Sequence, residues 1–314
     1  MNKMERMQAL FRGDRVDYVP HSFWYHFSPE ETFGEAGAQA HLNFMKDTDC
    51  DFLKIMDDNT FQFDFRIDAP EDWSKVRVSN KKESYFQKQL DLVKRIVEIG
   101  KKENVMVYQT LFAPWVQAQY AMQDSISVNI DRLTYHCKTH KAVMDDALKK
   151  IEESVLIQLE EYFNAGIDGI YYACWGGSKD RFSLEDFRRY VKAHDLPVLE
   201  YANTRSKHNI LHICHKYVYM EEYKDYPSCA VNWDSHYNNC TIEQGKKLFP
   251  GRIIFGGLSN VGALPFGTPD EAAKECRELL DTVGRDNIII GADCSLPYTP
   301  MENLQAVAKV CKEY

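Results

Sequence analysis

The chain has 314 residues, 44% hydrophobic and 27% charged, with 47 acidic against 38 basic side chains and a formal charge of −9. That much apolar material suffices for a large core, in two ordinary domains or in one barrel of roughly 250 residues or more. The acidic balance argues against nucleic acid or an anionic membrane as the main partner, because both reward clustered Lys and Arg.

The opening Met1-Asn2-Lys3-Met4-Glu5-Arg6 mixes charge into every turn. It reads as a short helical segment before the first strand, with no signal peptide, and no later run is apolar enough to span a bilayer. The nine cysteines are scattered and odd in number. Without an export signal they read as buried thiols, ligands or nucleophiles in a reducing cytoplasm, rather than as disulfides.

Short runs rich in β-branched and aromatic residues follow at Tyr18–Tyr25, Phe52–Met56, Val105–Leu111, Gly169–Cys174, Asn209–Cys214, Cys229–Trp233, Arg252–Phe255 and Asn287–Gly291. Amphipathic stretches separate most of them. One carries Met144, Leu148, Ile151, Val155, Leu159 and Tyr162 on a single face and stops at Gly166. Another opens Thr268-Pro269-Asp270-Glu271, a capping box with proline at the first helical position. Its core stripe is Ala272, Cys276, Leu279, Leu280 and Val283.

Eight strand–helix units predict an α/β fold, a single (β/α)₈ TIM barrel over residues 1–314. An open doubly wound sheet is the alternative, but no Gly-rich phosphate fingerprint follows the first strand. Two connections are long, Asp57 to about Lys82 and Phe112 to about Arg132. Both fall on the carboxyl face, where barrels keep their active sites.

In Leu211-His212-Ile213-Cys214-His215 the side chains alternate, so His212 and Cys214 share one side of a strand. The last strand ends Gly291-Ala292-Asp293-Cys294, bringing a second thiol to a similar height. One nitrogen and two sulfurs suit zinc, with a fourth position open for catalysis. Spacing alone leaves a buried histidine with inert core thiols as the ordinary alternative. Cys137, on a segment expected to be exposed or helical, stands outside this set.

Asp234 closes Val231-Asn232-Trp233-Asp234 as a fourth ligand, as a partner orienting His212, or as a loop cap. Asp57 and Asp58 follow the second strand as acid, base, anchor or solvated loop. His21, Trp24, Tyr25 and His26 end the first strand and Trp175 the fourth, to face a flat ligand or to fill the barrel mouth. Asn260 ends the run Gly256-Gly257-Leu258-Ser259-Asn260, whose glycines permit close backbone approach.

His212-Ile213-Cys214, Gly256–Asn260, Gly267-Thr268-Pro269-Asp270-Glu271, and Cys294 with Thr299-Pro300-Met301-Glu302-Asn303 together resemble the uroporphyrinogen decarboxylase superfamily. The closer likeness is to its zinc-dependent branch, the corrinoid (cobalamin):thiol methyltransferases. Glu5–Gly13 and Asp14–Pro20 are similar to the superfamily's N-terminal signature. The resemblance implies a (β/α)₈ barrel, zinc on His212, Cys214 and Cys294, and methyl exchange between a thiol and a corrinoid carried on a partner protein. Two departures, His215 after Cys214 and the Asp293 and Ser295 that flank Cys294, stand where the branch usually has glycine. They place His215 among residues that would set the substrate. The namesake decarboxylation is the competing function. Its polyanionic substrate needs arginines, and Pro20–Phe27 holds none. A non-catalytic ligand-binding barrel is the third possibility.

Overall fold

The structure, a computed structural model, describes all residues except Asn239 and the side chains of Ile126 and Ser127. Seven strands form one parallel sheet: β1 (Phe52–Ile55), β2 (Met106–Phe112), β3 (Gly169–Cys174), β4 (Ile210–Ile213), β5 (Ala230–Trp233), β6 (Ile253–Leu258) and β7 (Ile288–Ala292). Their spatial order follows the chain, which rules out the reversal that defines a doubly wound sheet. The sheet curls strongly. Phe52 on β1 lies 5.8 Å from Phe255 on β6, and Tyr171 on β3 lies 6.0 Å from that same ring. Strands far apart in the order therefore meet through their inner faces, as in a barrel.

The expected first strand is not a strand. Residues 20–25 run extended beside β7 with single bridges from His21 to Ile290 and from Tyr25 to Leu296. Ser22 N donates to Ile290 O at 3.0 Å, and Ile290 N to Pro20 O at 2.8 Å. Toward β1 the backbone bond is Asp51 N to His21 O, 3.0 Å. One cause is local and the other is distant in sequence. Pro20 has no N–H to give a ladder, and the His21 N–H is taken by the Asp51 carboxylate at 2.9 Å.

The helices are placed where their caps and apolar stripes put them. Lys3–Phe11 is the predicted N-terminal helix, closed by an Asn2–Glu5 capping box. Lys141–Ala165 buries the predicted stripe and ends at Gly166, whose φ of 104° only glycine adopts without strain. Pro269–Val283 begins with the Thr268–Glu271 box, and burial is complete for Ala272, Cys276 and Leu280. The connection after β2 is not an open loop: Pro114–Ala121 and Ile126–Thr139 are helical. Cys137 lies on the second of these, fully buried rather than exposed. The connection after β1 is irregular, with a 3₁₀ turn at Pro70–Lys75. All nine cysteines are free. Among the described residues, no helix is long and apolar enough to cross a membrane.

Candidate metal centre

β4 delivers His212 from a fully buried strand, and the chain leaving it carries Cys214. The segment after β7 delivers Cys294. The Cys294 Sγ stands 3.8 Å from Cys214 Sγ and 3.6 Å from His212 Nε2. One ligand atom from each of the three residues lies within 4.8 Å of the other two, close enough for all three to share one metal ion.

The tautomer of His212 is fixed by Asn232, its register partner on β5. The Asn232 amide nitrogen donates to Phe255 O (2.7 Å) and Ala292 O (3.1 Å), so its oxygen must face the other way. That oxygen accepts from Tyr171 OH at 2.8 Å and from His212 Nδ1. Nδ1 therefore carries the proton, and Nε2 presents its lone pair to the sulfurs. A Cβ at Gly256, where φ is 130°, would lie 2.6 Å from the Asn232 amide nitrogen, so this glycine makes room for the amide.

Aromatic rings wall the imidazole. Trp24 meets it edge-on at 4.8 Å, and Tyr171 stacks on it at 5.4 Å. The sulfurs share a proton unequally. A hydrogen bond from Cys214 holds the Cys294 thiol well below its usual range against the effect of burial. Cys214 is pushed well up by the same pairing.

Asp293 is a strut rather than a rim group. It is fully buried, and Oδ1 accepts from Gly257 N at 3.0 Å. Oδ2 accepts from Ser235 N (2.6 Å), Ser235 Oγ (2.9 Å) and His236 Nδ1 (2.7 Å). The carboxylate so ties the ends of β6 and β7 to the turn after β5, beside Cys294.

Asp234 does not orient His212. Its Oδ1 accepts from the backbone of His236 (3.2 Å) and Tyr237 (2.9 Å), which is the loop-cap arrangement. It clusters with His236 and Asp293, apart from the His212 group. Asn232 takes the role instead, and the signal for it is its register opposite His212. His21 also falls outside the centre. It is buried at the amino end of the sheet, its Nε2 3.1 Å from Thr48 O and its backbone on Asp51, which pairs with Arg6. Tyr25 turns to Phe44 and Phe27, at 5.0 Å and 5.6 Å.

The remaining expected residues lie on the carboxyl side of their strands. Trp175 meets His215 edge-on at 5.4 Å, and its Nε1 is buried without a partner. Asp57 is buried with Oδ1 unpartnered, and burial beside Asp58 pushes its carboxyl well above the usual range. Asp58 accepts from His26 Nδ1 at 3.1 Å. Asn260 sits half-buried in the turn after β6.

Lys54 on β1 has no counterpart in the sequence reading. Its Nζ lies 4.0 Å from the Trp24 ring and 4.2 Å from the Tyr171 ring, and donates to Thr110 Oγ1 at 3.2 Å. Burial pushes its ammonium well below the usual lysine range, opposed by Cys294 and Asp58. The signal was a lysine alternating with Leu53 and Ile55 in step with the inward-facing Phe52. A cavity of about 580 Å³ opens elsewhere, between the segments after β4 and β5, and shares no residue with the centre.

The family model for uroporphyrinogen decarboxylase (URO-D) matches residues 53–314. The chain belongs to that family. Within the URO-D family, it is 23% identical over 211 residues to the uroporphyrinogen decarboxylase of Christiangramia forsetii, covering 64% of this chain and 58% of that protein. It thus spans less than two thirds of that relative's length. A 61-residue stretch is 39% identical to the methylated-thiol–coenzyme M methyltransferase of Methanosarcina mazei, 19% of this chain and 16% of that one. The URO-D chain shares its fold with a methyltransferase from Methanosarcina mazei (TM-score 0.76, 17% identity, 100% of this chain and 99% of that one). A B12-independent methionine synthase from Shewanella sp. W3-18-1 is also similar in fold (TM-score 0.60, 13% identity, 94% and 93%).

Proposed function

We propose that this URO-D family chain is a zinc-dependent methyltransferase, moving a methyl group between a corrinoid on a partner protein and a small-molecule thiol. The observation that carries the reading is the free Nε2 lone pair of His212 3.6 Å from the Cys294 sulfur, which itself stands 3.8 Å from the Cys214 sulfur. The likeness to the Methanosarcina mazei proteins supports it as context. In this reading residues 1–314 act as one barrel domain.

His212, Cys214 and Cys294 would hold the ion. When bound, zinc supplies Lewis acidity that makes a substrate thiol anionic and nucleophilic at neutral pH. The chain's own residues do the rest. Asn232 holds the proton on Nδ1 and so keeps Nε2 available. Trp24 and Tyr171 exclude water from one side of the imidazole. Asp293 fixes the backbone next to Cys294. Trp175 and His215 would form a second wall.

Decarboxylation of a polyanionic tetrapyrrole finds no such support, since residues 20–27 contain no arginine to pair its carboxylates. The test uses zinc-loaded protein, methylcobalamin as surrogate donor and a panel of small thiols, with methyl thioethers read by mass spectrometry. Transfer is expected in wild type and lost in Cys214→Ser and Cys294→Ser. Two outcomes would overturn the reading: no transfer in either direction with a corrinoid protein supplied, or conversion of uroporphyrinogen to coproporphyrinogen.

A further inference from the structure

β1 alternates, and Phe52 marks its inner face by meeting Tyr108 at 4.9 Å and Phe255 at 5.8 Å. Lys54, two residues on, points the same way. Its Nζ rests 4.0 Å from the Trp24 ring and 4.2 Å from the Tyr171 ring. These are the two rings that contact His212, at 4.8 Å and 5.4 Å. The cation and the candidate metal ligand so share both aromatic neighbours.

Among the described residues, no carboxylate lies within ion-pair distance of Nζ. Asp58, its nearby acidic neighbour, is engaged with His26 at 3.1 Å. Of the three donors of the ammonium, one is used on Thr110. Ring faces attract a cation but do not neutralise it. A methionine would fill this position without the cost of desolvating a charge, so packing alone does not account for lysine here. Cys294 and Asp58 act on Nζ from a distance without bonding to it, which leaves two of its three donors for an anion brought in from outside.

We propose that Lys54 determines specificity by receiving an anionic head group, carboxylate or sulfonate, on the small molecule whose sulfur reaches His212, Cys214 and Cys294. The assignment of the sulfur rests on the methyl-transfer reading; the anion preference does not.

The first test loads the protein with cobalt(II) and follows the thiolate-to-metal absorption band. The probes are 3-mercaptopropionate, 3-mercaptopropane-1-sulfonate and the neutral 3-mercaptopropanamide. Wild type binds the anions about tenfold or more tighter than the amide, as a charge-assisted contact requires. Lys54→Met loses that margin by weakening the anions alone, and Lys54→Arg keeps it. The two acids show which head group is preferred. Equal weakening of the amide, or an anion margin that survives in Lys54→Met, overturns the proposal.

A second arm needs no bond to the metal: calorimetry with 3-(methylthio)propionate and its amide. If no thiol perturbs the cobalt band but this preference is present and Lys54-dependent, the methyl-transfer reading fails and Lys54 stands. If calorimetry also shows no preference, the Lys54 assignment falls as well.

Discussion

Replacing Asn232 with alanine removes four hydrogen bonds at once, to His212 Nδ1, Tyr171 OH, Phe255 O and Ala292 O. All of these groups are buried, so the loss leaves polar atoms unpaired, at a cost on the order of 3 kcal/mol of stability. The second effect falls on metal binding. The imidazole loses the acceptor that fixes its tautomer, and loss of such a partner lowers metal affinity about 10–100-fold. That corresponds to about 1.4–2.7 kcal/mol. Asn232→Asp separates the two roles. Its carboxylate still accepts from Nδ1, but it cannot donate to the two carbonyls and meets them with like charge. It should destabilise as much as alanine while retaining more of the metal affinity. The assay is zinc competition against a chromophoric chelator, paired with urea unfolding of the metal-free protein. If both variants bind zinc within twofold of wild type while His212→Ala does not, Asn232 has no part in orienting the ligand.

Three further outcomes follow from the geometry. Cys214→Ser and Cys294→Ser should each abolish stoichiometric zinc by elemental analysis. Cys229→Ser should retain it, since that thiol only donates to Asn209 O at 3.1 Å, a bond serine can also make. Gly256→Ala should cost about 1–3 kcal/mol and loosen the metal, because φ is 130° and the new Cβ would meet the Asn232 amide; unchanged melting and zinc content would count against the cradle. Asp195, buried between Tyr172 OH (2.7 Å) and Tyr226 OH (2.9 Å), is pushed by burial up to about 7. The folded chain therefore holds a proton that the unfolded chain releases above about pH 4, and stability falls as pH rises from there to about 7. The loss is on the order of 4 kcal/mol at most, and Asp195→Asn should flatten the slope in urea melts at pH 4 to 8. An unchanged slope would mean Asp195 is ionised throughout.

Much of the fold can be read from the sequence because its devices are local. Gly169–Cys174 is a strand over the predicted residues, and the Thr268–Glu271 box starts its helix where the hydroxyl and carboxylate sit in sequence. His212 and Cys214 share a side because strand periodicity is 2. What could not be read depends on register. Asn232 and Lys54 are ordinary polar residues until β5 is aligned with β4 and β1 is turned inward. The first strand fails because a side chain, Asp51, takes a backbone donor, a contact thirty residues long. The segment after β2 was legible in part: Pro114 is a first-turn proline, but the absence of a capping side chain at Ala113 hid the helix start.

The single bridges between residues 20–25 and β7 also decide where this molecule yields first under thermal agitation. Most neighbouring strands are sewn by longer runs of register pairs, five between β2 and β3 for instance, whereas here two isolated bridges and three backbone bonds do the work. Amide protons at His21, Ser22 and Leu296 belong to this seam and should exchange with solvent well before those of β2 and β3. Trp24 lies on one lip and Cys294 on the other. Parting of the seam would carry away the ring that shields His212 and expose the thiol together, so breathing of the scaffold and access to the reactive groups are one motion.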